Sequence, residues 1–478
     1  MKKEDSTQQR IELLVNPSGK KRKDMTVRER VQMLQRKLYL SAKQDKEKKF
    51  YILYDKVFLE YILSEAWRRV KSRGGSPGID GQNFTDIERA GVEQFLAVLK
   101  EEPRTRTYRP SAVKRVYIPK PNGEQRPLGI PTIKDRVAQM ACKLVIEPIF
   151  EADFEDSSYG FRPQKSAQEA IIKIKEHLKA GRTEVYDADL SKYFDTIPHE
   201  KLMKTLTVRI SDGRIVELIK LWLKAPVYDD GKYTGGRKST VGTPQGGVIS
   251  PLLANIYLHL LDRNVNSRES VFAKAGIHIV RYADDFVLMG RKLTKEALTM
   301  LQALLKRMEL QINEGKSRQI DARQTPFNFL GFTIRFDRSI YDNTKRFWHI
   351  KPSDKSCKRI RQNINMFLKH AGHYPPKNLT HGLNGRMRGW LNYFHIEGVS
   401  YTSLPKRKLN GYLRERLFRY YNRKSQRKTR LYRQQAFSNL VEKYGMIDPM
   451  KYQPVAGLRT PEPKATGKAV CGKTARTV

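Results

Sequence analysis

The chain has 478 residues, an apolar fraction of 39% and a formal net charge of +42. That length predicts about two to four domains, and a charge that large opposes compaction and calls for a polyanionic partner. No apolar run approaches the ~18 residues needed to span a bilayer, so no membrane partner is expected. The three cysteines, Cys142, Cys357 and Cys471, form no CxxC pair, which argues against a zinc site or a disulfide framework. With no apolar signal core at the N-terminus, a bacterial cytoplasmic protein is expected, nucleoid-associated through nucleic acid.

Residues 1–45 are polar. Their run Lys20-Lys21-Arg22-Lys23 reads as a basic arm, disordered or ordered by RNA. Weak helical spacing covers Thr26–Leu40, and Lys46–Val70 reads as one helix with Phe58, Leu59, Ile62, Leu63 and Trp67 on its apolar side. The Gly-rich break Gly74–Gly81 has few side chains and suits close approach to a backbone, with Gly78 at its centre. Val113–Ile118 and Pro127–Ile130 predict a hairpin around Pro121-Asn122-Gly123. Lys114, Arg115, Lys120 and Arg126 make that hairpin basic, as triphosphate or backbone binding would require. Thr132–Phe150 predicts an amphipathic helix. The polar and aromatic stretch Ser157–Pro163, with Arg162, leads into a helix ending near Ala180.

Val185–Leu190 predicts a strand with Asp187 and Asp189 on one face. Tyr193 and Phe194 open the next turn or helix, and Asp195 reads as a helix cap. Lys201–Lys224 reads as helical, Tyr228–Ser239 as a short hairpin, and Gly242–Gly247 as a tight loop presenting Gln245. Ser250-Pro251 starts an apolar helix. Ile277–Met289 predicts a hairpin whose turn carries the adjacent acids Asp284 and Asp285. Thr294–Leu310 is a helix, and Phe329–Phe332 begins a further strand pair.

From Lys351 onward the chain is helical, basic and aromatic, with 28 Lys/Arg against 6 Asp/Glu and a net charge of +22. Arg414, Arg423, Lys424, Arg427 and Lys428 crowd one helix that is basic on nearly all sides. Aromatics among arginines suit base stacking and phosphate contact. A helix so charged does not read as a core helix. Residues after Tyr452 read as a flexible tail.

Each of these features has an ordinary structural explanation by itself. Together, acids on a strand and at a hairpin turn meet the requirement of two-metal phosphoryl transfer. The stretches IPKPNGEQRPLGIP, SYGFRP, DADLSKYFD, GTPQGGVISPLLANIYL and RYADDF, in this order, resemble a bacterial group II intron reverse transcriptase/maturase over roughly residues 55–435.

The resemblance implies an α+β right-hand polymerase, with fingers and a palm of antiparallel sheet, followed by an α-helical thumb called domain X. The expected division is an N-terminal extension at 1–45, fingers at 46–180, palm at 181–345, thumb at 346–440 and a basic tail at 441–478 without an endonuclease domain. Asp189, Asp284 and Asp285 match the catalytic acids that hold two Mg²⁺ ions. Phe194 matches the residue that blocks a ribose 2′-hydroxyl. Lys120 and Arg126 match triphosphate contacts, Gln245 lies near the nascent pair, and Asp187 reads as a supporting acid. Gly74–Gly81 matches a template-touching motif. The implied partners are the parent intron RNA, a DNA target or primer, and dNTPs. A domesticated enzyme without an intron, and a non-catalytic RNA-binding splicing factor, are the alternatives.

Overall fold

β-Branched and aromatic residues on both sides of a sharp turn build the centre of the molecule. In a computed structural model, which describes residues 24–119, 123, 125–339, 342, 344–424 and 435–454, His278–Tyr282 (β6) and Asp285–Gly290 (β7) form the expected hairpin. Glu184–Asp189 (β3) pairs antiparallel with β7, and Arg318–Asp321 (β8) closes the sheet in the order β6-β7-β3-β8. The register sets Asp189 opposite Asp285. This pairing joins the two acidic motifs.

Ahead of this sheet the chain is mainly helical: Val27–Gln44 (α1), Tyr54–Val57 (α2), Glu60–Arg73 (α3), Phe84–Ala90 (α4) and Val92–Arg104 (α5). Residues 46–53 are not helical, because Asp212 captures the Leu53 and Tyr54 amides and Phe50 pairs with the Arg209–Ser211 backbone. Val113–Pro119 (β1) and Gln125–Ile130 (β2) form the basic hairpin. Ile133–Glu151 (α6) is not amphipathic: 17 of its 19 residues are buried, since α1, α3 and later helices enclose it.

Ala167–Lys179 (α7) packs Ile171, Ile174 and Leu178 into a core with Val185, Val280 and Val287 of the central sheet. It lies N-terminal to the expected boundary at 180 yet covers the sheet beyond it. Tyr193–Thr196 (α8) follows β3. The stretch read as one helix from Lys201 is two, His199–Thr207 (α9) and Gly213–Leu223 (α10), because Asp212 caps the second. Pro226–Asp229 (β4) and Lys232–Gly235 (β5) extend the β1–β2 sheet, with β4 parallel to β1. Ser250–Asn266 (α11), Val271–Lys274 (α12) and Lys295–Arg307 (α13) complete the large first core.

Phe327–Phe329 (β9), Phe332–Arg338 (β10) and Arg346–Pro352 (β11) form a three-stranded sheet. The helical region has its own core between Asp354–His370 (α14), Pro376–Phe394 (α15), Ser403–Lys424 (α16) and Ala436–Tyr444 (α17). Here α16 differs from expectation. Leu409, Leu413, Leu417 and Tyr421 recur every four residues and are buried in that core. The basic residues occupy the remaining faces. The chain is thus a mixed α+β polymerase-like body followed by a helical region. Among the described residues, no helix is long and apolar enough to cross a membrane.

Candidate active site

Three carboxylates meet at one end of the central sheet. Asp189 ends β3, Asp285 begins β7 opposite it, and Asp284 sits in the turn between β6 and β7. Crowding acids raises their affinity for protons. Asp285 has its carboxyl pushed up to about 7, first by the surrounding protein and then by Asp284, Asp189 and Asp187. Asp284 is also raised, by desolvation first and then by Asp189, with Arg126 and Arg281 opposing. Lys316 pairs with Asp189 at 2.7 Å. Asp187, two residues back on β3, is raised to about 6 by burial, and Arg318 on β8 opposes the rise. Among the described residues, no three His, Cys, Asp or Glu side chains are drawn close enough to form a finished ligand set.

The turn is strained and braced. Ala283 has φ +58, a conformation that costs a non-glycine residue about 1–2 kcal/mol. The guanidinium of Arg281, fully buried, donates to the Ala283 carbonyl at 2.9 Å and to Asn255 Oδ1 at 3.0 Å. It also pairs with buried Asp262 and donates to Ser158 Oγ at 2.7 Å. Gly160 lies directly against the turn: a Cβ there would stand 2.3 Å from the Ala283 nitrogen. Asn255 Nδ2 donates to the Gly160 carbonyl at 2.7 Å. Segment Ser157–Gly160 and helix α11 therefore hold the acids from behind. Arg281, directly after Ile279-Val280 and ahead of the acidic turn, and a lone Asp in the apolar α11, were the sequence signals for this support.

The opposite wall joins three motifs. Arg126 Nε donates to Gln245 Oε1 at 3.0 Å, and Gln245 Nε2 donates to Asp195 Oδ2 at 2.9 Å. Asp195 is therefore not a cap but the anchor of this chain, with Arg115 close enough to oppose the rise that burial imposes on its pKa. Gly129 donates to the Gln245 carbonyl at 2.6 Å, tying the hairpin to the loop. Phe194, partly buried, packs on the first core beside Tyr193, whose hydroxyl donates to the Ala254 carbonyl at 2.7 Å.

Family models match two segments of the chain: reverse transcriptase (RNA-dependent DNA polymerase) over residues 118–334, and the group II intron maturase-specific domain over 357–438. Protein YkfC of Escherichia coli strain K12 is 38% identical over 348 residues, covering 64% of this chain and 89% of YkfC. The group II intron-encoded protein LtrA of Lactococcus lactis subsp. cremoris is 29% identical over 363 residues, covering 63% of this chain. The chain belongs to the group II intron-encoded reverse transcriptase/maturase family. It spans 59% of LtrA's own length, and 36% of a 91 kDa protein in the cob intron of Schizosaccharomyces pombe that is 30% identical to it. Reverse transcriptase domains generally use divalent metals, and the maturase match implies an RNA partner.

Not every residue expected to bind faces the cleft of this reverse transcriptase. Arg162 is 5% exposed and pairs with Glu151 at 2.7 Å while donating to the Ser158 carbonyl at 2.7 Å. It clamps the loop behind the turn and has no group left for RNA. Gly78 is buried, and a Cβ there would stand 2.7 Å from the Thr132 Cα, so packing on α6 explains the glycine. Lys114 is exposed on β1. Arg414 is exposed, with its guanidinium 4.2 Å from the Phe437 ring centre. Arg423 and Lys424 end α16. Lys120, Arg427, Lys428 and the 20–23 basic run lie outside the described residues.

Proposed function

We propose that the chain copies RNA into DNA, with Asp189, Asp284 and Asp285 holding two Mg²⁺ ions. The observation that carries this reading is the cross-strand placement of Asp189 opposite Asp285, with Asp284 one residue away on a braced turn. The donor set fits the ions: three hard oxygen donors whose mutual repulsion leaves an excess of negative charge for divalent cations to neutralise. Bound there, the ions would activate a primer 3′-hydroxyl and neutralise the leaving pyrophosphate. Arg126 and Gln245 orient the incoming dNTP, Lys120 supplies further charge to its triphosphate, and Phe194 excludes a 2′-hydroxyl. Lys114 and Arg115 contact the nucleic-acid backbone. Within this reading, fingers, palm and thumb follow the division expected from the sequence, except that α7 is grouped with the palm whose sheet it covers. Maturase action and intron mobility follow from the same family. The parent intron RNA is bound by the basic helical region, where Arg414, Arg423, Lys424, Arg427 and Lys428 contribute, and a DNA target serves as primer.

Extension of oligo(dT) on poly(rA) tests the activity. Mg²⁺-dependent incorporation of dTTP, with little UTP used, is expected. Absence of extension by folded protein would overturn the polymerase reading and favour a splicing factor that only binds RNA.

A further inference from the structure

A cavity of about 1060 Å³ opens where β10 and β11 meet the starts of α14 and α16. That volume is at the upper end of the range for ligand pockets. None of Asp189, Asp284, Asp285, Phe194, Arg126 or Gln245 lines it.

Its chemistry is specific. Lys351, Arg361 and Lys408 line it and converge on Cys357, where all three oppose the rise that burial gives the thiol. Of the two acids in the wall, Asp337 is engaged by Arg335 and, at 2.8 Å, by His349. Lys351 and Lys408 have no ion pair among the described residues, so their charge is available. Tyr401 is 43% exposed, with its ring 5.3 Å from Phe347 and 4.9 Å from His349, which hold it in place. Trp390 also lines the cavity.

Cations for a phosphate and a supported aromatic for a base are parts of a nucleotide site. A duplex keeps its bases stacked, whereas a concave cavity takes one turned out. Much of the wall, including Cys357, Arg361, Trp390 and Lys408, lies within the segment matching the maturase-specific domain. We propose that this cavity is a second nucleic-acid site that captures an unpaired RNA nucleotide, its phosphate among Lys351, Arg361 and Lys408 and its base on Tyr401. The proposal rests on the reading of the chain as an RNA-binding maturase.

Cys357 gives a built-in reporter. In full-length protein carrying Cys471→Ser, alkylation of Cys357 by N-ethylmaleimide is followed by mass spectrometry after the polymerase cleft has been filled with an annealed RNA template and DNA primer. Added single-stranded oligouridylate should slow alkylation several-fold. The variant Lys351→Glu/Lys408→Glu should lose this protection, and Tyr401→Ala should weaken it, while both extend the annealed primer at the parent rate. Loss of that one phosphate contact should also flatten the salt dependence of oligouridylate binding, by about 0.7 in log–log slope. Protection by the primer–template alone, equal protection by oligothymidylate, or no protection by RNA would each overturn the proposal. Primer extension and total RNA binding, measured on the same samples, show separately whether the reverse transcriptase and RNA-binding readings hold.

Discussion

Gly160→Ala isolates the brace behind the catalytic turn. The added methyl would stand 2.3 Å from the Ala283 nitrogen, 2.9 Å from the Tyr282 carbonyl carbon and 3.2 Å from the Ala283 Cα. All three are backbone atoms, so no side chain can swing away. Ordinary contact begins near 3.4 Å, so the turn must retreat by roughly 1 Å. Overpacking of this kind costs about 1–3 kcal/mol of stability. The catalytic effect should be larger in proportion, because a displacement of roughly 1 Å in reacting groups costs on the order of 10²-fold in rate. Steady-state primer extension should show kcat reduced by that order with the KM for dNTP little changed, since Arg126 and Gln245 lie on the other wall. Thermal unfolding and RNA binding should show a folded protein that still holds RNA. A variant with parent kcat would refute the claim that Ser157–Gly160 positions the acids.

Phe194→Ala should admit ribonucleotides: UTP incorporation should rise by at least about tenfold relative to dTTP, as a difference of 1.4 kcal/mol would give, and unchanged selectivity would remove Phe194 from its assigned role. Leu413→Ala should destabilise the helical region by about 2–5 kcal/mol, read by denaturant unfolding, because Leu413 is fully buried; a negligible loss would restore the view of α16 as a solvated helix. His177 is buried, stacked 4.9 Å from His278, and its pKa is lowered to about 4, by burial first and then by His278. Its folded pKa lies below the unfolded value near 6.5, so the unfolded chain binds the extra proton between these limits. Stability should therefore fall as pH drops from about 6.5 to 4, by at most about 3 kcal/mol from this residue. His177→Gln should flatten that slope, and an unaltered slope would exclude His177 as its source.

The acids were legible because a period of two and a short turn leave little freedom. Asp187 and Asp189 fall on one strand, Asp284 and Asp285 at one turn, and only the pairing of β3 with β7 had to be supplied by the fold. Arg162 was not legible. An arginine in a polar, aromatic loop reads as a phosphate contact, and its partner Glu151 becomes visible only when α6 packs beside the loop. Asp195 looked like a cap because it lies in the first turn of a short helix, but Gln245, fifty positions on, claims its carboxylate. In α16 the abundance of Arg and Lys hid a regular stripe of Leu409, Leu413 and Leu417, whose partners come from three other helices. The break between α9 and α10 was masked because apolar Ile210 and Ile215 continue the pattern across it, while Asp212 is held by Leu53 and Tyr54 from far upstream.

The central claim is that Asp284 and Asp285 are catalytic and not structural. The direct measurement is primer extension by Asp284→Ala/Asp285→Ala, alongside RNA binding and thermal unfolding of the same protein. The account predicts no detectable DNA synthesis, retained RNA affinity, and no loss of thermal stability, since removing crowded carboxylates relieves repulsion. DNA synthesis that persists in the folded double variant would contradict it.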